Sequence, residues 1–362
     1  MNSAAFAVAQ TRRIVPLLLG EPGTGKTSLV LQFAQKLGLD CVLINVAHYS
    51  AVELHGAPKV GEYMDMVPPW WAHEYKDKDV VLFFDEITNA RPTHQAALLS
   101  ILSERRVGRI HLTRPIIIAA GNPPDCAADP QFLSEPFINR LCVLQWALDD
   151  GRWLECMLSG AFISPEFPML PSDWEGYIPR FMNYIGAFLT RRRELIRQRP
   201  KEPGTVAPHP THRAWHLGAV SMAACAACQL SKLEQQSALA GHVGEHAAAE
   251  FAEWEANLDL PDPEELLSAA AHKGEFKWPS RIGRLDQAYV ALTSCAGVVC
   301  ERFDRKIFAA FDKLIRAAYA SGFAEASVVA LRTVFAKKPD ARIMISDATA
   351  EAMEAVLTKA GY

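Results

Sequence analysis

The octapeptide GEPGTGKT at residues 20–27 constrains this chain more than any other stretch. It fits G-x-x-x-x-G-K-[ST] at every position, and that pattern requires a strand before it and a helix after it. Both are legible: an apolar run at 14–19 precedes it, and residues 26–37 have helical periodicity closed by Gly38. Gly23 and Gly25 allow the backbone to curl around phosphate oxygens, with amides and a helix N-terminus supplying partial positive charge. Lys26 can then reach the β- and γ-phosphates, and Thr27 can ligate Mg²⁺. Gly20, Glu21, Pro22, Gly23, Thr24, Gly25, Lys26, Thr27 and Ser28 are the candidate nucleotide-binding residues.

Further short apolar runs follow at 41–46, 80–84, 116–120 and 141–146, with a helical pattern at 92–106. The runs are continuous rather than alternating, as in strands buried on both faces. The expected fold class is α/β: a P-loop sandwich with a five-stranded parallel sheet between helical layers. After about residue 148 the strand signals stop. Helical patterns occupy 153–159, 181–198, 211–233, 245–257 and the chain from 289 onwards, with one short strand expected at 341–345. The Pro-rich stretch RPKEPGTVAPHP and the stretch KGEFKWPSRIG read as linkers. This predicts a nucleotide-binding domain at 1–148, a helical lid at 149–240 and a helical accessory region at 241–362. No internal repeat or low-complexity tract interrupts the chain.

The chemistry gathers at strand ends. VVLFFDE ends the third run in Asp85 and Glu86, where ligands of parallel sheets bind. Asp85 suits the Mg²⁺ shell, and Glu86 is placed to orient or deprotonate the water attacking a γ-phosphate. A second acid here separates water-activating ATPases from most small-molecule kinases. Asn122, just past the fourth run, has an amide that can hold that water from the other side. Arg140, at the start of the fifth run, and Arg213, at the start of a helix in HPTHRAW, are guanidiniums suited to charge on transferring phosphoryl oxygens.

Together Gly20–Thr27, Asp85–Glu86, Asn122, Arg140 and Arg213 resemble the AAA+ ATPases, and within them the MoxR-like group. FDEITNARPTHQAALLSILSERRV is similar to the MoxR-type segment after the acidic pair, with Arg91 at a typical basic position. The resemblance covers about residues 14–233, and VGEHAAAEFAEWEANLDLPDPEELL is similar to longer members. Two features depart from the pattern: only about a dozen residues precede the first strand, and the lid arginine sits in PTHRAW rather than in Ser-Pro-Arg. The resemblance implies ATP and Mg²⁺ as ligands, a ring hexamer, and ATP-driven remodelling of another protein. It also implies a partner carrying a von Willebrand factor A domain.

In that group an insertion lies between the second strand and the acidic pair, and residues 46–74 fill the slot. Its centre, KVGEYMDMVPPWW, carries a Tyr, two Met and two Trp around a possible turn at Gly61 and a break at Pro68–Pro69. Aromatic and Met side chains grip a polypeptide without sequence preference. Tyr63 and Met64, between acidic neighbours, are the candidate pore-loop residues; Trp70 and Trp71 stay open between core and pore.

Other features carry less chemistry. Cys225 and Cys228 lack a second ligand pair at zinc spacing, and His242 and His246 lack the acid of H-E-x-x-H. Eight scattered Cys read as a reduced, cytoplasmic chain. TRRIVPLLLG has basic residues before an apolar run, but the run is too short for a leader and enters the phosphate loop. No apolar run is long enough to span a bilayer. A net charge of −4 gives no electrostatic case for nucleic acid, and the basic run TRRRELIR reads as a solvated helix face. Two alternatives compete with a protein remodeller: a nucleic-acid motor using basic residues near Lys59 and Arg105–Arg109, or a nucleotide-gated assembly scaffold.

Overall fold

The protein is described by a computed structural model, which covers residues 3–61, 64–123, 126, 133–160, 166–198, 207–272 and 274–351. Its strands are β1 Val15–Leu19, β2 Asp40–Asn45, β3 Ala57–Val60, β4 Met64–Val67, β5 Val80–Asp85, β6 Arg106–Val107, β7 Ile110–His111, β8 Ile116–Gly121 and β9 Leu141–Gln145. Five of them form a parallel sheet in the order β2-β5-β8-β1-β9, which is the expected α/β P-loop fold. β1 and β8 are buried along their whole length, and β5 along all but Asp85, so the continuous apolar runs follow from helices on both faces. Because β5, β8 and β1 are neighbours, their carboxyl ends bring residues 85–86, 121–122 and 19–20 to one edge.

Two helices explain how this edge is supported. Ser3–Gln10 is buried from Ala4 to Ala9 and packs on β1, β8 and the helices His212–Ala227 and Lys232–Val243. SAAFAVAQ is apolar all round, so burial on all sides suits it. Lys232–Val243 lies against β9 so closely that a Cβ on Gly241 would sit 2.8 Å from the Val143 carbonyl oxygen. Its start is a capping box between Ser231 and Glu234.

The segment between β2 and β5 is built from small ordered pieces. A capping box at Ser50 and Glu53 starts the helix Ala51–His55, β3 and β4 pair as an antiparallel hairpin, and Pro69 precedes the helix Trp70–Tyr75. The two tryptophans part company there. Trp71 is fully buried, its ring edge-on to Phe84 at 5.8 Å, whereas Trp70 is 59% exposed. Helical geometry puts adjacent residues about 100° apart, so only one of the pair can face the core. Of the pore-loop candidates, Tyr63 lies outside the described residues, and Met64 opens β4 on the hairpin.

By its contacts the chain divides into two compact units: Met1–Ile178 with Glu194–Glu250, and Pro179–Arg193 with Phe251–Tyr362. The second is helical, with a core between Pro263–Ala271, Leu285–Glu301, Arg305–Ala320 and Ala324–Lys337. The Trp254 indole N–H donates to buried Asp286 at 2.7 Å, and Arg284 holds the same carboxylate with two further bonds. Burial raises the Asp286 pKa, but these donors outweigh it and leave the carboxyl below its usual range. The strand expected at 341–345 is instead part of a 3₁₀ helix, Pro339–Met344. A short apolar run surrounded by helices has no strand to pair with, and Pro339 suits a helical first turn.

Candidate functional site

The phosphate loop is held from below and behind. The Gly20 amide donates to Gly121 O at 3.2 Å, joining the exits of β1 and β8. A Cβ on Gly20 would lie 2.2 Å from the Trp146 carbonyl oxygen, so only glycine fits there. Gly23 and Gly25 have φ of +78° and +81°, conformations that cost other residues about 1 kcal/mol or more. The Trp146 indole N–H donates to Thr24 O at 3.0 Å, tying the loop to the end of β9.

Lys26 opens the helix Lys26–Lys36 and is 7% exposed. Its Nζ donates to Gly20 O at 2.6 Å, Glu21 O at 2.8 Å and Asn122 Oδ1 at 3.0 Å. Burial pulls its pKa below that of an ordinary lysine, while the Asp85 charge pulls the other way. Thr27 Oγ1 donates to Asp85 Oδ2 at 2.9 Å. The Glu86 amide donates to Asp85 Oδ1 at 2.9 Å, and Glu86 itself has φ +55°, a left-handed conformation a glutamate rarely adopts. Thr88, buried in the turn after β5, accepts from the Asn122 amide at 3.0 Å and so fixes where that side chain begins.

These residues enclose a cavity of about 350 Å³ lined by Pro22, Gly23, Thr24, Gly25, Lys26, Thr27, Ser28, Asp85, Glu86 and Asn122. The structure therefore brings the loop, both acids and the asparagine together at one cavity. Gly20 and Glu21 enter through their carbonyls, which receive the Lys26 ammonium. A hydroxyl and a carboxylate oxygen side by side are the hard donors that Mg²⁺ takes beside phosphate oxygens. Among the described residues no group of three or more His, Cys, Asp or Glu converges as a metal cage.

Arg140 and Arg213 do not line this cavity. Arg140 Nη1 donates to Pro136 O at 2.7 Å. Its pKa is lowered first by desolvation and then by the nearby charge of Arg213, so the fold places the two guanidiniums in one neighbourhood. Arg213 sits in the first turn of His212–Ala227, whose start is capped by the Thr211 hydroxyl.

Sequence reasoning missed Trp146 and Thr88. The signals present were a lone Trp at the end of a predicted strand and a Thr three residues after the acid of another. His242 is buried and bonded to Ser221 through Nε2 at 2.9 Å, while His246 is on the surface beside Glu250 at 3.0 Å. Cys225 is buried, and the Cys228 thiol donates to Met169 O at 3.5 Å. No helix among the described residues is long and apolar enough to cross a membrane.

One family comparison agrees with this geometry. Residues 16–141 match the family model of the AAA domain (dynein-related subfamily). No curated protein matches the chain. Among solved structures it resembles "a putative ATPase from Cytophaga hutchinsonii", with 14% identity and a TM-score of 0.43 over 66% of this chain and 78% of that one. The matched segment runs from β1 to the start of β9 and contains the phosphate loop, Asp85, Glu86, Asn122 and Arg140. Residues 16–141 thus match an AAA domain, and the chain is an ATPase.

Proposed function

We propose that this chain is a ring-forming ATPase of the MoxR-like group that remodels or activates a partner protein. The observation that carries the reading is the convergence of Lys26, Thr27, Asp85, Glu86 and Asn122 on one cavity. Lys26 would exchange its backbone carbonyl partners for the β- and γ-phosphates of ATP. Thr27 and Asp85 would hold Mg²⁺, which offsets phosphate charge and orients the γ-phosphoryl group. Glu86 would take the proton of the attacking water, with Asn122 fixing that water from the β8 side.

Arg140 and Arg213 stand together outside the cavity, an arrangement that suits completion of a second copy's site. That is the reason for assigning a homo-oligomer, with a hexameric ring as its form. The helices of 149–240 act as the lid, and 241–362 as an accessory region. Val60 and Val67 of the β3–β4 hairpin and Trp70 after it are exposed apolar side chains, which suit contact with a protein. The resemblance to the MoxR-like group makes a protein with a von Willebrand factor A domain the proposed client or adaptor.

The test is subunit mixing. Lys26→Ala removes nucleotide binding but leaves Arg140, and Arg140→Ala leaves the loop intact. Each alone should be inactive, and an arginine supplied in trans is worth roughly 10³–10⁵ in rate. Mixing the two should restore part of the turnover, because one protomer lends its arginine to the other's site. No recovery on mixing, with turnover per protomer constant on dilution, would sink the ring reading.

A further inference from the structure

A partly buried polar cluster joins the two arginine-bearing segments. His209 is 7% exposed, and its Nε2 lies 3.1 Å from Glu135 Oε1 and 3.3 Å from Asn139 Nδ2. Glu135 opens the short helix Glu135–Ile138, Asn139 caps its end, and Arg140 follows. Asn139 Oδ1 accepts from the Thr211 hydroxyl at 2.9 Å. That same hydroxyl accepts from the Ala214 amide at 3.1 Å and so caps the helix that carries Arg213.

The hydrogen bonds leave little freedom. A threonine hydroxyl has one donor, which Thr211 gives to Asn139. With its oxygen engaged, Asn139 turns its NH₂ towards the imidazole. The ring Nε2 can accept from Asn139 or donate to Glu135, but not both at once. His209 Nδ1 is buried with no hydrogen-bond partner among the described residues. A ring that occupies such a position at the expense of an unsatisfied nitrogen is held there by its other edge.

The cluster also answers an electrostatic need. Arg140 and Arg213 repel, and the bond from Arg140 to the Pro136 carbonyl is exposed. Exposed side chains alone would let the guanidiniums drift apart, and loss of position at an active site costs about 10²-fold per ångström of displacement.

We propose that His209 is a positioning residue: packed with its Nε2 against Glu135 and Asn139 beside the Thr211 cap, it fixes Arg140 and Arg213 in the one arrangement that ATP turnover uses. The inference rests on the reading that both arginines serve phosphate. His209 touches no reacting atom, and its effect passes through Asn139 and Thr211 to the two backbones that carry the guanidiniums.

The experiment measures steady-state ATP hydrolysis by the full chain, well below each variant's melting temperature. His209→Ala should lower kcat about 10²-fold with KM for ATP unchanged. His209→Gln, whose amide reaches the place of Nε2, should recover most of that loss. In an Arg140→Ala/Arg213→Ala background, His209→Ala should have no further effect, because the groups it positions are gone. Should His209→Ala fail to fold, Glu135→Gln at the exposed end of the cluster should show a smaller kcat loss of the same kind. The proposal is overturned if His209→Ala lowers only the melting temperature, or if its kcat loss multiplies with that of the arginine variant. If the double arginine variant itself turns over ATP at the wild-type rate, the arginine reading fails and takes this inference with it.

Discussion

Thr27 Oγ1 donates to Asp85 Oδ2 across 2.9 Å, and this bond joins the first turn of the helix after the phosphate loop to the tip of β5. The pair lies 58 residues apart in sequence. It sets a neutral and an anionic oxygen side by side at the cavity wall, where a hard cation would replace the shared proton contact. Two elements that the chain builds separately thus make one binding surface.

That surface predicts a metal dependence that belongs to Asp85. Wild-type affinity for ATP should rise when Mg²⁺ is added to chelator-treated protein, measured by calorimetry. Asp85→Asn keeps the shape and the bond to Thr27 but loses the charge. Its affinity for ATP should barely respond to Mg²⁺. An Mg²⁺ response equal to that of the wild type would remove Asp85 from the metal site.

Glu86 should separate binding from turnover. Its left-handed backbone turns it out of the sheet beside the cavity while its amide stays with Asp85. Glu86→Gln preserves volume and removes the basic oxygen. Nucleotide binding should be retained and kcat should fall by about 10²–10⁴-fold, as for a lost general base. Hydrolysis at the wild-type rate in this variant would show that another group activates the water.

How much of this was legible beforehand depends on the reach of each interaction. The phosphate loop, Asp85, Glu86 and Asn122 announce themselves because each is short in sequence and follows an apolar run. Their meeting at one cavity follows from the order β5-β8-β1, a consequence of parallel crossover topology. Trp146 was invisible as a site residue, since its bond to Thr24 spans 122 residues and no local pattern marks it. The hairpin of β3 and β4 was hidden for a different reason. Its strands are four residues each, and β3 is exposed along its whole length, so it lacks the alternation that reveals a half-buried strand. The grouping of Arg140 with Arg213 depends on how the helix His212–Ala227 packs, and sequence spacing says nothing about that.

Stability should fall in mild acid because of His242. Its ring is fully buried against Ser221, and burial lowers its pKa from 6.5 to about 3. The folded state therefore stays unprotonated where the unfolded chain takes up a proton. The contribution is whole above the unfolded pKa and is lost as pH falls from 6.5 towards 3, at up to about 1.4 kcal/mol per pH unit. Denaturant melts between about pH 7 and pH 5 should show this slope. His242→Gln, which does not titrate, should flatten part of it. Identical slopes in the two proteins would mean that other groups govern the acid response.

The two adjacent tryptophans should behave as different kinds of residue. Trp71 is fully buried, edge-on to Phe84 beneath the sheet's carboxyl edge, and its indole N–H has no hydrogen-bond partner among the described residues. Replacing it with alanine removes a large core side chain and leaves a cavity, at a cost of about 3–5 kcal/mol. The melting temperature should drop on the order of 10 °C, and all activities should fall with it. Trp70 is 59% exposed on the same short helix. Trp70→Ala should leave the melting temperature and basal ATP hydrolysis close to wild type. Any response of the ATPase to a protein partner should weaken, because Trp70 is the largest exposed apolar side chain of this segment. Thermal melts run beside the ATPase assay distinguish the cases. Equal drops in melting temperature for the two variants would show that Trp70 is packing as well, and the hairpin surface would lose its largest side chain as a candidate partner contact.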